Sequence, residues 1–184
     1  MDCIGLMVEE HRNIKRMLTV IRKYCYRILK GEKIEFEDFY KIIDFLRNYT
    51  DKHHHGKEES MLFNRMIDEL GIMAEKLVTH GMLVEHNLAR LHIQELEDAL
   101  KRVQEGDDEA RLDVIANAIS YTHLLMRHIQ KEDEAVYTYA SRQLNKNTLD
   151  ALNQECKEYE EDSTKVALRE KYLSLLQELE RKVE

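Results

Sequence analysis

Residues that interrupt helices are scarce in this chain of 184 residues, which has no proline and only six glycines. Tryptophan is absent as well, whereas leucine, glutamate, lysine, arginine, alanine and methionine are plentiful. The plentiful residues have high intrinsic helix propensity, and proline and glycine have the lowest. The composition therefore predicts an all-α protein, and the chain is long enough for one domain with a hydrophobic core.

Cysteine is also rare. The three cysteines, Cys3, Cys25 and Cys156, are odd in number and widely spaced, which argues against a disulfide framework and favours a reducing compartment. The first residues lack the basic segment and apolar stretch of a secretory signal, and no segment has the roughly 18 uncharged apolar residues that a membrane span needs. We expect a cytoplasmic protein that does not bind membranes.

Positive charge is in deficit, with 28 lysines and arginines against 36 aspartates and glutamates, a formal charge of −8. Nucleic-acid-binding proteins neutralise phosphates with clustered basic side chains, and this chain has no basic stripe that offsets its acidic balance. A nucleic-acid partner is not expected.

Apolar residues recur with the 3.6-residue period of amphipathic helices in four segments, which are separated by glycines. The dividing glycines are Gly31, Gly71 and Gly106. The predicted helices cover about residues 3–29, 35–69 and 73–104, and a fourth begins after residue 108. Four long helices joined by short loops typically pack as an antiparallel up-down-up-down four-helix bundle, which we assign to residues 1–144.

The composition shifts at Asn145-Lys146-Asn147, and the remaining residues form one or two amphipathic helices without histidine. We predict that residues 145–184 are a C-terminal extension that caps the bundle or forms a subunit contact, with no direct part in chemistry. Their surplus apolar row favours a homodimer.

Two short segments are versions of each other, and each carries a histidine followed one helical turn later by a glutamate. They read His54-His55-Gly56-Lys57-Glu58-Glu59-Ser60-Met61-Leu62-Phe63 and His128-Ile129-Gln130-Lys131-Glu132-Asp133-Glu134-Ala135-Val136-Tyr137. On an α-helix, positions i and i+4 share a face, so each segment offers an imidazole and a carboxylate to one point. Two such pairs facing each other predict a site for two metal ions.

The apolar stripe of each predicted helix contains a histidine, and two of the stripes also contain a glutamate. The six candidate metal ligands are His11, His54, Glu58, His86, His128 and Glu132. Burial of ionised carboxylates without compensation costs several kcal/mol for each group. Two divalent cations coordinated by all six groups remove that cost, and a set of Glu–His⁺ ion pairs is the alternative.

Local register leaves the assignment of some neighbouring residues open. In a regular helix His54 lies on the apolar stripe and His55 lies on a polar row. We therefore expect His53 and His55 in a second layer or at the surface. The alternative to His54–Glu58 as the metal-binding pair is His55–Glu59. His80 is a possible added ligand, Asp133 could replace Glu132, and Tyr121 could supply a hydroxyl near the metals. His92 and His123 are expected at the surface or its boundary.

These motifs resemble the hemerythrin-like family, also called the HHE cation-binding domain, over about residues 3–142. The matching pieces are Glu10-His11-Arg12, the segments that begin at His54 and His128, and Gly81-Met82-Leu83-Val84-Glu85-His86 with Arg90. The resemblance implies a four-helix bundle with a non-haem di-iron centre bridged by carboxylates. By position it implies four histidine ligands, with Glu58 and Glu132 as the bridges.

One position departs from the oxygen-carrying hemerythrins, which have a second histidine one turn away on the third helix. Here the residues one turn before and after His86 are Met82 and Arg90. The set of four histidines and two glutamates is more similar to bacterial members tied to repair of iron centres or to nitric oxide and peroxide chemistry.

Imidazole suits iron, zinc, copper and nickel, while carboxylates bridge and neutralise two adjacent cations. We therefore predict two non-haem iron ions, with manganese or zinc as substitutes, and O₂, peroxide or NO as small partners. The predicted function is a di-iron protein that binds or reacts with these oxidants, or takes part in iron handling and iron-centre repair. The alternative is a sensor or regulatory module that responds to the metal or redox state.

Overall fold

The computed structural model describes residues 2–184 and consists of six helices joined by short turns. In chain order they are α1 (Cys3–Leu29), α2 (residues 36–70), α3 (residues 72–104), α4 (residues 111–143), α5 (Lys146–Glu161) and α6 (Ser163–Lys182). Residues 2–184 contain no strand. The prediction of an all-α fold is confirmed.

Glycines end the first three helices, as the sequence predicts. Gly31, Gly71 and Gly106 have φ angles of 86°, 67° and 104°. Only glycine adopts this left-handed region without strain, so the chain can leave each helix in a tight turn.

Helices α2, α3 and α4 contain π-helical segments, which include His54, Glu58 and Glu132 on α2 and α4 and end four residues before His86 on α3. The π-helical segments are Leu46–His55, Glu58–Leu62, Val78–Met82 and Glu132–Val136. The regular α-helical segments that flank them are Phe36–Phe45, Phe63–Leu70, Ile72–Leu77, Leu83–Gln104, Arg111–Lys131 and Tyr137–Gln143. A π turn bonds i to i+5 and is rare except at functional sites. Each such turn also alters which residues share a face of the helix.

The core has two apolar clusters with a polar layer between them. Along α1, Met7 belongs to one cluster and Ile14 to the other, and the buried His11 lies between them. Helix α4 packs against α1 and α3, and α2 packs against α3. The predicted ligands therefore occupy a polar layer enclosed by apolar side chains on both sides.

The C-terminal helices join both clusters. Leu152 and Cys156 of α5 are buried in the cluster that contains Met7, and Tyr172, Leu176 and Leu179 of α6 are buried in the other. Complete burial of a leucine contributes about 1.5–3 kcal/mol. The apolar row on which the homodimer prediction rests is thus covered by the chain's own bundle.

Ion pairs also hold α6 against the bundle. Nζ of Lys182 lies 2.6 Å from Oδ1 of Asp38, and the guanidinium of Arg16 makes two bonds to Glu180, of 2.8 and 2.6 Å. Among residues 2–184, none of the helices has both the length and the apolar character that crossing a membrane requires.

Candidate metal centre

The six predicted ligands converge in the polar layer, where they and His55 form two groups. His11, His54, Glu58 and Glu132 form the first group, and all four are buried. The second consists of His55, Glu58, His86 and His128, which are also buried. Within each group, one side-chain atom from every residue lies within 4.8 Å of the others. Glu58 belongs to both.

Glu132 connects the same two groups. Its Oε2 lies 3.2 Å from Nε2 of His11, and its Oε1 lies 3.1 Å from Nε2 of His128. Oε2 of Glu58 lies 3.8 Å from Nε2 of His54 and 3.6 Å from Nε2 of His86. Both carboxylates therefore stand between the two sets of imidazoles, as bridging ligands would.

His55 enters the centre although a regular helix places it on a polar row. Its side chain is buried, and its ring stacks on His86 with a centroid distance of 3.8 Å and an interplanar angle of 8°. A surface position is wrong for His55, because the side chain is buried and the π-helical segment Leu46–His55 changes the phase of the helix. The structure thus adds a fifth histidine to the predicted four.

All five imidazoles have the same orientation. In each ring Nδ1 faces a carboxylate away from the centre, and Nε2 faces inward. The Nδ1 contacts are His11–Asp133 at 2.6 Å, His54–Glu10 at 2.8 Å, His55–Asp51 at 3.3 Å, His86–Glu59 at 2.7 Å and His128–Glu85 at 2.9 Å. Metal-bound histidines nearly always donate the outer ring N–H to such an acceptor, which fixes the tautomer.

These contacts repeat between the first two helices, α1 and α2, and the next two, α3 and α4. Glu10, which precedes His11, binds His54 on α2, and Glu85, which precedes His86, binds His128 on α4. The residue after each central glutamate, Glu58 or Glu132, accepts from the remaining histidine, since Asp133 binds His11 and Glu59 binds His86. The centre therefore has approximate internal twofold symmetry. His55 breaks it, since the equivalent residue is Ile129.

The inward-facing atoms provide a test of whether a metal fits. Nε2 of His11 and of His54, Oε2 of Glu58, and both carboxylate oxygens of Glu132 are buried and make no hydrogen bond of acceptable geometry. Each unpaired buried polar atom costs about 1–3 kcal/mol. Five of them around one space, all nitrogen or oxygen, fit a pair of divalent cations.

Burial and neighbouring charges give the imidazoles of His54 and His128 different pKa values. Burial favours the neutral ring and lowers the pKa of His54 to about 4, and the adjacent His11 lowers it further. Burial also acts to lower the pKa of His128, but the carboxylates of Glu132 and Glu85 outweigh it and raise that pKa to about 9. At neutral pH the metal-free centre therefore holds a proton on His128.

The two central carboxyls differ in the same way. Burial, followed by the charge of Glu132, raises the pKa of Glu58 well above its usual range. Burial opposes ionisation of Glu132 as well, yet His128 and His11 hold the pKa of Glu132 well below its usual range. The pKa values of the two carboxyls are thus pushed in opposite directions, because two buried like charges repel.

Tyr137 is a site residue that the sequence pattern did not indicate. Its hydroxyl donates to Oε1 of Glu58, and its ring stacks on His11 with a centroid distance of 5.5 Å and an angle of 5°. Tyr121, the predicted source of a hydroxyl, lies in the apolar cluster that contains Ile14. Tyr137 is the last residue of the second sequence copy, aligned with Phe63, so the alignment offered no signal for a hydroxyl.

The remaining candidate residues are assigned by their positions. His80 and His123 are exposed, His92 is half-buried, and none of the three belongs to either group. Asp133 binds the outer nitrogen of His11, which leaves Glu132 as the inward carboxylate. His53 is buried outside both groups, against Glu10.

Comparison with known proteins agrees with this geometry. A family model described as Hemerythrin HHE cation binding domain matches residues 3–140, which contain every residue of the two groups. No curated protein sequence matches the chain at a significant level. Helices α5 and α6 lie outside the matched residues.

Proposed function

The chain belongs to the hemerythrin HHE cation binding domain family, and on that premise we propose that its first 144 residues bind two metal ions between α1, α2, α3 and α4. One ion would be held by His11 and His54, and the other by His55, His86 and His128. Glu58 and Glu132 would contribute to both.

One observation carries the proposal: the shared orientation of the five imidazoles. A buried imidazole that donates from Nδ1 to a carboxylate presents a lone pair at Nε2. Five such nitrogens directed at one space, with two carboxylates among them, form a cavity of electron-pair donors. Cations satisfy that cavity, because each donor then gains a partner and the two carboxylates neutralise part of the cations' charge.

Iron is the metal that we propose, with manganese or zinc as substitutes. Nitrogen and carboxylate ligands suit all three metals, and the groups contain no cysteine, the ligand that many zinc sites use. A pair of iron ions supplies one-electron redox chemistry and open coordination positions. The protein would bind or react with O₂, peroxide or NO, or take part in iron handling and iron-centre repair.

The unequal numbers of histidines support two inequivalent ions. Three imidazoles, His55, His86 and His128, belong to one group, and two, His11 and His54, belong to the other. With fewer protein ligands, the ion at His11 and His54 would have more room for a small molecule. The ring of Tyr137 packs against His11 and helps to exclude bulk water from that side.

Metal analysis of protein purified without oxygen tests the proposal directly. We expect about two iron atoms per chain and near-ultraviolet charge-transfer absorption after exposure to air, peroxide or NO. The variants His54→Ala and Glu58→Ala should lose both the metal and the absorption. His123→Ala, at an exposed histidine, is the matched control. Unchanged metal content in the first two variants would remove the proposal.

A second candidate function is a sensor that reports the metal or redox state through the C-terminal extension, residues 145–184. It is favoured by the position of α5, whose Glu160 is buried against His53 and Lys57 beside the centre. Reduced and oxidised protein should then differ in C-terminal protease sensitivity or in oligomeric state. Identical behaviour in both states would contradict this function.

The cellular setting and assembly complete the proposal. All three cysteines are buried and free, which supports a reducing, cytoplasmic location. The homodimer stays a prediction, and sedimentation at several protein concentrations would test it.

A further inference from the structure

A second cluster of buried charges lies beside the metal centre and joins α1, α2 and α5. Nζ of Lys57 donates to Oε1 of Glu10 and to Oε1 of Glu160. Nε2 of His53 lies 3.1 Å from Oε1 of Glu10 and 3.2 Å from Oε1 of Glu160. All four side chains are buried.

The spacing of Glu10, His53 and Glu160 resembles that of metal ligands, but a cation is already present among them. The Lys57 ammonium contacts both carboxylates and lies 3.3 Å from the His53 ring nitrogen. This cluster is therefore an internal ion-pair network.

The internal symmetry of the chain provides a comparison for Lys57. In the second sequence copy the equivalent lysine is Lys131, which binds Glu85, the carboxylate that supports His128. Lys131 is 52% exposed, whereas the Lys57 side chain is 0% exposed. The difference arises because Glu160 of α5 covers Lys57, and no second carboxylate contacts Lys131 among residues 2–184.

A continuous series of polar contacts thus runs from the C-terminal helices to the centre. Arg169 of α6 donates to Oε2 of Glu160, and Oε1 of Glu160 accepts from Lys57. Lys57 donates to Oε1 of Glu10, whose Oε2 lies 2.8 Å from Nδ1 of His54. Each contact fixes the position of the next side chain.

We propose that Glu160 is a positioning residue for the metal centre, which holds His54 in place through Lys57 and Glu10. The inference rests on the proposed function. It also assigns a role to the C-terminal extension, which lies outside the residues matched by the family model. Glu85 and Lys131, which support His128, are not covered by a residue of the extension. Glu160 therefore acts on one metal position only, the one at His11 and His54.

The test compares the release of the two ions from intact protein. Protein loaded with two equivalents of Fe²⁺ without oxygen is mixed with excess coloured chelator, and iron transfer is followed in time. Glu160→Gln keeps the size of the side chain and removes its charge. Glu158→Gln makes the same change at an exposed position on the same helix.

We expect Glu160→Gln to accelerate one phase of iron release and to leave the other phase unchanged. The expected acceleration is about tenfold, because loss of a residue that supports a metal ligand typically weakens metal binding by at least that factor. Glu158→Gln should match the wild type. Equal acceleration of both phases would indicate a purely structural role and overturn the inference, and so would two unchanged phases.

The outcome for the wild type separates the two proposals. If the wild type binds about two ions and Glu160→Gln has no phase-specific effect, only the inference fails. If the wild type binds no stoichiometric metal, the proposed function fails, and the inference with it.

A second variant covers the case in which Glu160→Gln does not fold. Arg169 is 31% exposed and donates to Glu160 from the solvent side. Arg169→Gln should therefore accelerate the same single phase, by a smaller factor. An unchanged release profile in folded Arg169→Gln protein would then overturn the inference.

Discussion

Nε2 of His86 lies 3.0 Å from Nε2 of His128, and Nδ1 of each ring is bonded to a carboxylate. With both outer nitrogens donating, the two inner nitrogens would present lone pairs to each other, which is unfavourable without a cation between them. In the metal-free protein a proton on His128 supplies that cation, since the pKa of His128 is raised to about 9. Metal binding must displace this proton.

Metal uptake at pH 7 should therefore release at least one proton per chain, one from His128 and any that Glu58 still holds, because the raised pKa of Glu58 favours the protonated carboxyl. The sign follows from the raised pKa: the imidazole is protonated in the metal-free protein below pH 9, and a coordinating imidazole is neutral. The apparent metal affinity should accordingly rise with pH until about pH 9. Titration calorimetry in two buffers of different ionisation enthalpy measures the protons. Uptake without proton release would contradict this assignment.

The variant His55→Ala should weaken binding of the ion held with His86 and His128, so that the metal content falls below two ions per chain. The structure places His55 in the group with His86 and His128, and its loss leaves that ion with two imidazoles. Elemental analysis of purified protein measures the content. His123→Ala is the matched control, and equal metal content in the two variants would exclude His55 as a ligand.

Loss of the Tyr137 hydroxyl should destabilise the metal-free protein. The change Tyr137→Phe leaves Oε1 of Glu58 buried without its donor, which costs about 1–3 kcal/mol. Urea unfolding measures the free energy. Tyr139→Phe removes a hydroxyl from the same helix at a half-buried position and should change stability by less. Equal losses in the two variants would show that the Tyr137–Glu58 bond contributes little.

Helix α6 should contribute to the stability of the whole chain. Leu176 is fully buried in the cluster with Ile14, so Leu176→Ala should cost about 2–5 kcal/mol. Leu112→Ala, at a leucine that is 67% exposed, should stay within about 0.5 kcal/mol of the wild type. Both values come from urea unfolding. A cost below about 1 kcal/mol for Leu176→Ala would contradict a stabilising contribution from the packing of this leucine.

The fold and most of the inward-facing residues could be predicted because they follow a regular period. His11, His86 and His128 lie on apolar stripes of helices that remain α-helical at those positions. Periodicity failed at His55, because the π-helical segment Leu46–His55 shifts the face that each residue occupies. A π turn depends on tertiary contacts, and hydrophobic spacing does not reveal it.

The outer carboxylates could not be predicted for a different reason. Glu10, Glu59, Glu85 and Asp133 occupy positions that resemble an ordinary solvated helix face, and their role depends on which neighbouring helix they meet. The extension was likewise expected to lack chemistry because it has no histidine. The pattern gives no sign of the burial of Glu160, which follows from how α5 packs against α2.

The outer carboxylates have one further consequence for the bundle. His11 is bonded to α4, His128 to α3, His86 to α2 and His54 to α1, so these four contacts form a closed circuit of helices. A helix in such a circuit cannot rotate or slide without breaking two bonds at once, one that it donates and one that it accepts. The spacing of the four helices around the proposed site is therefore restrained by contacts within the protein, and we expect ions that need a wider or narrower site to bind less tightly.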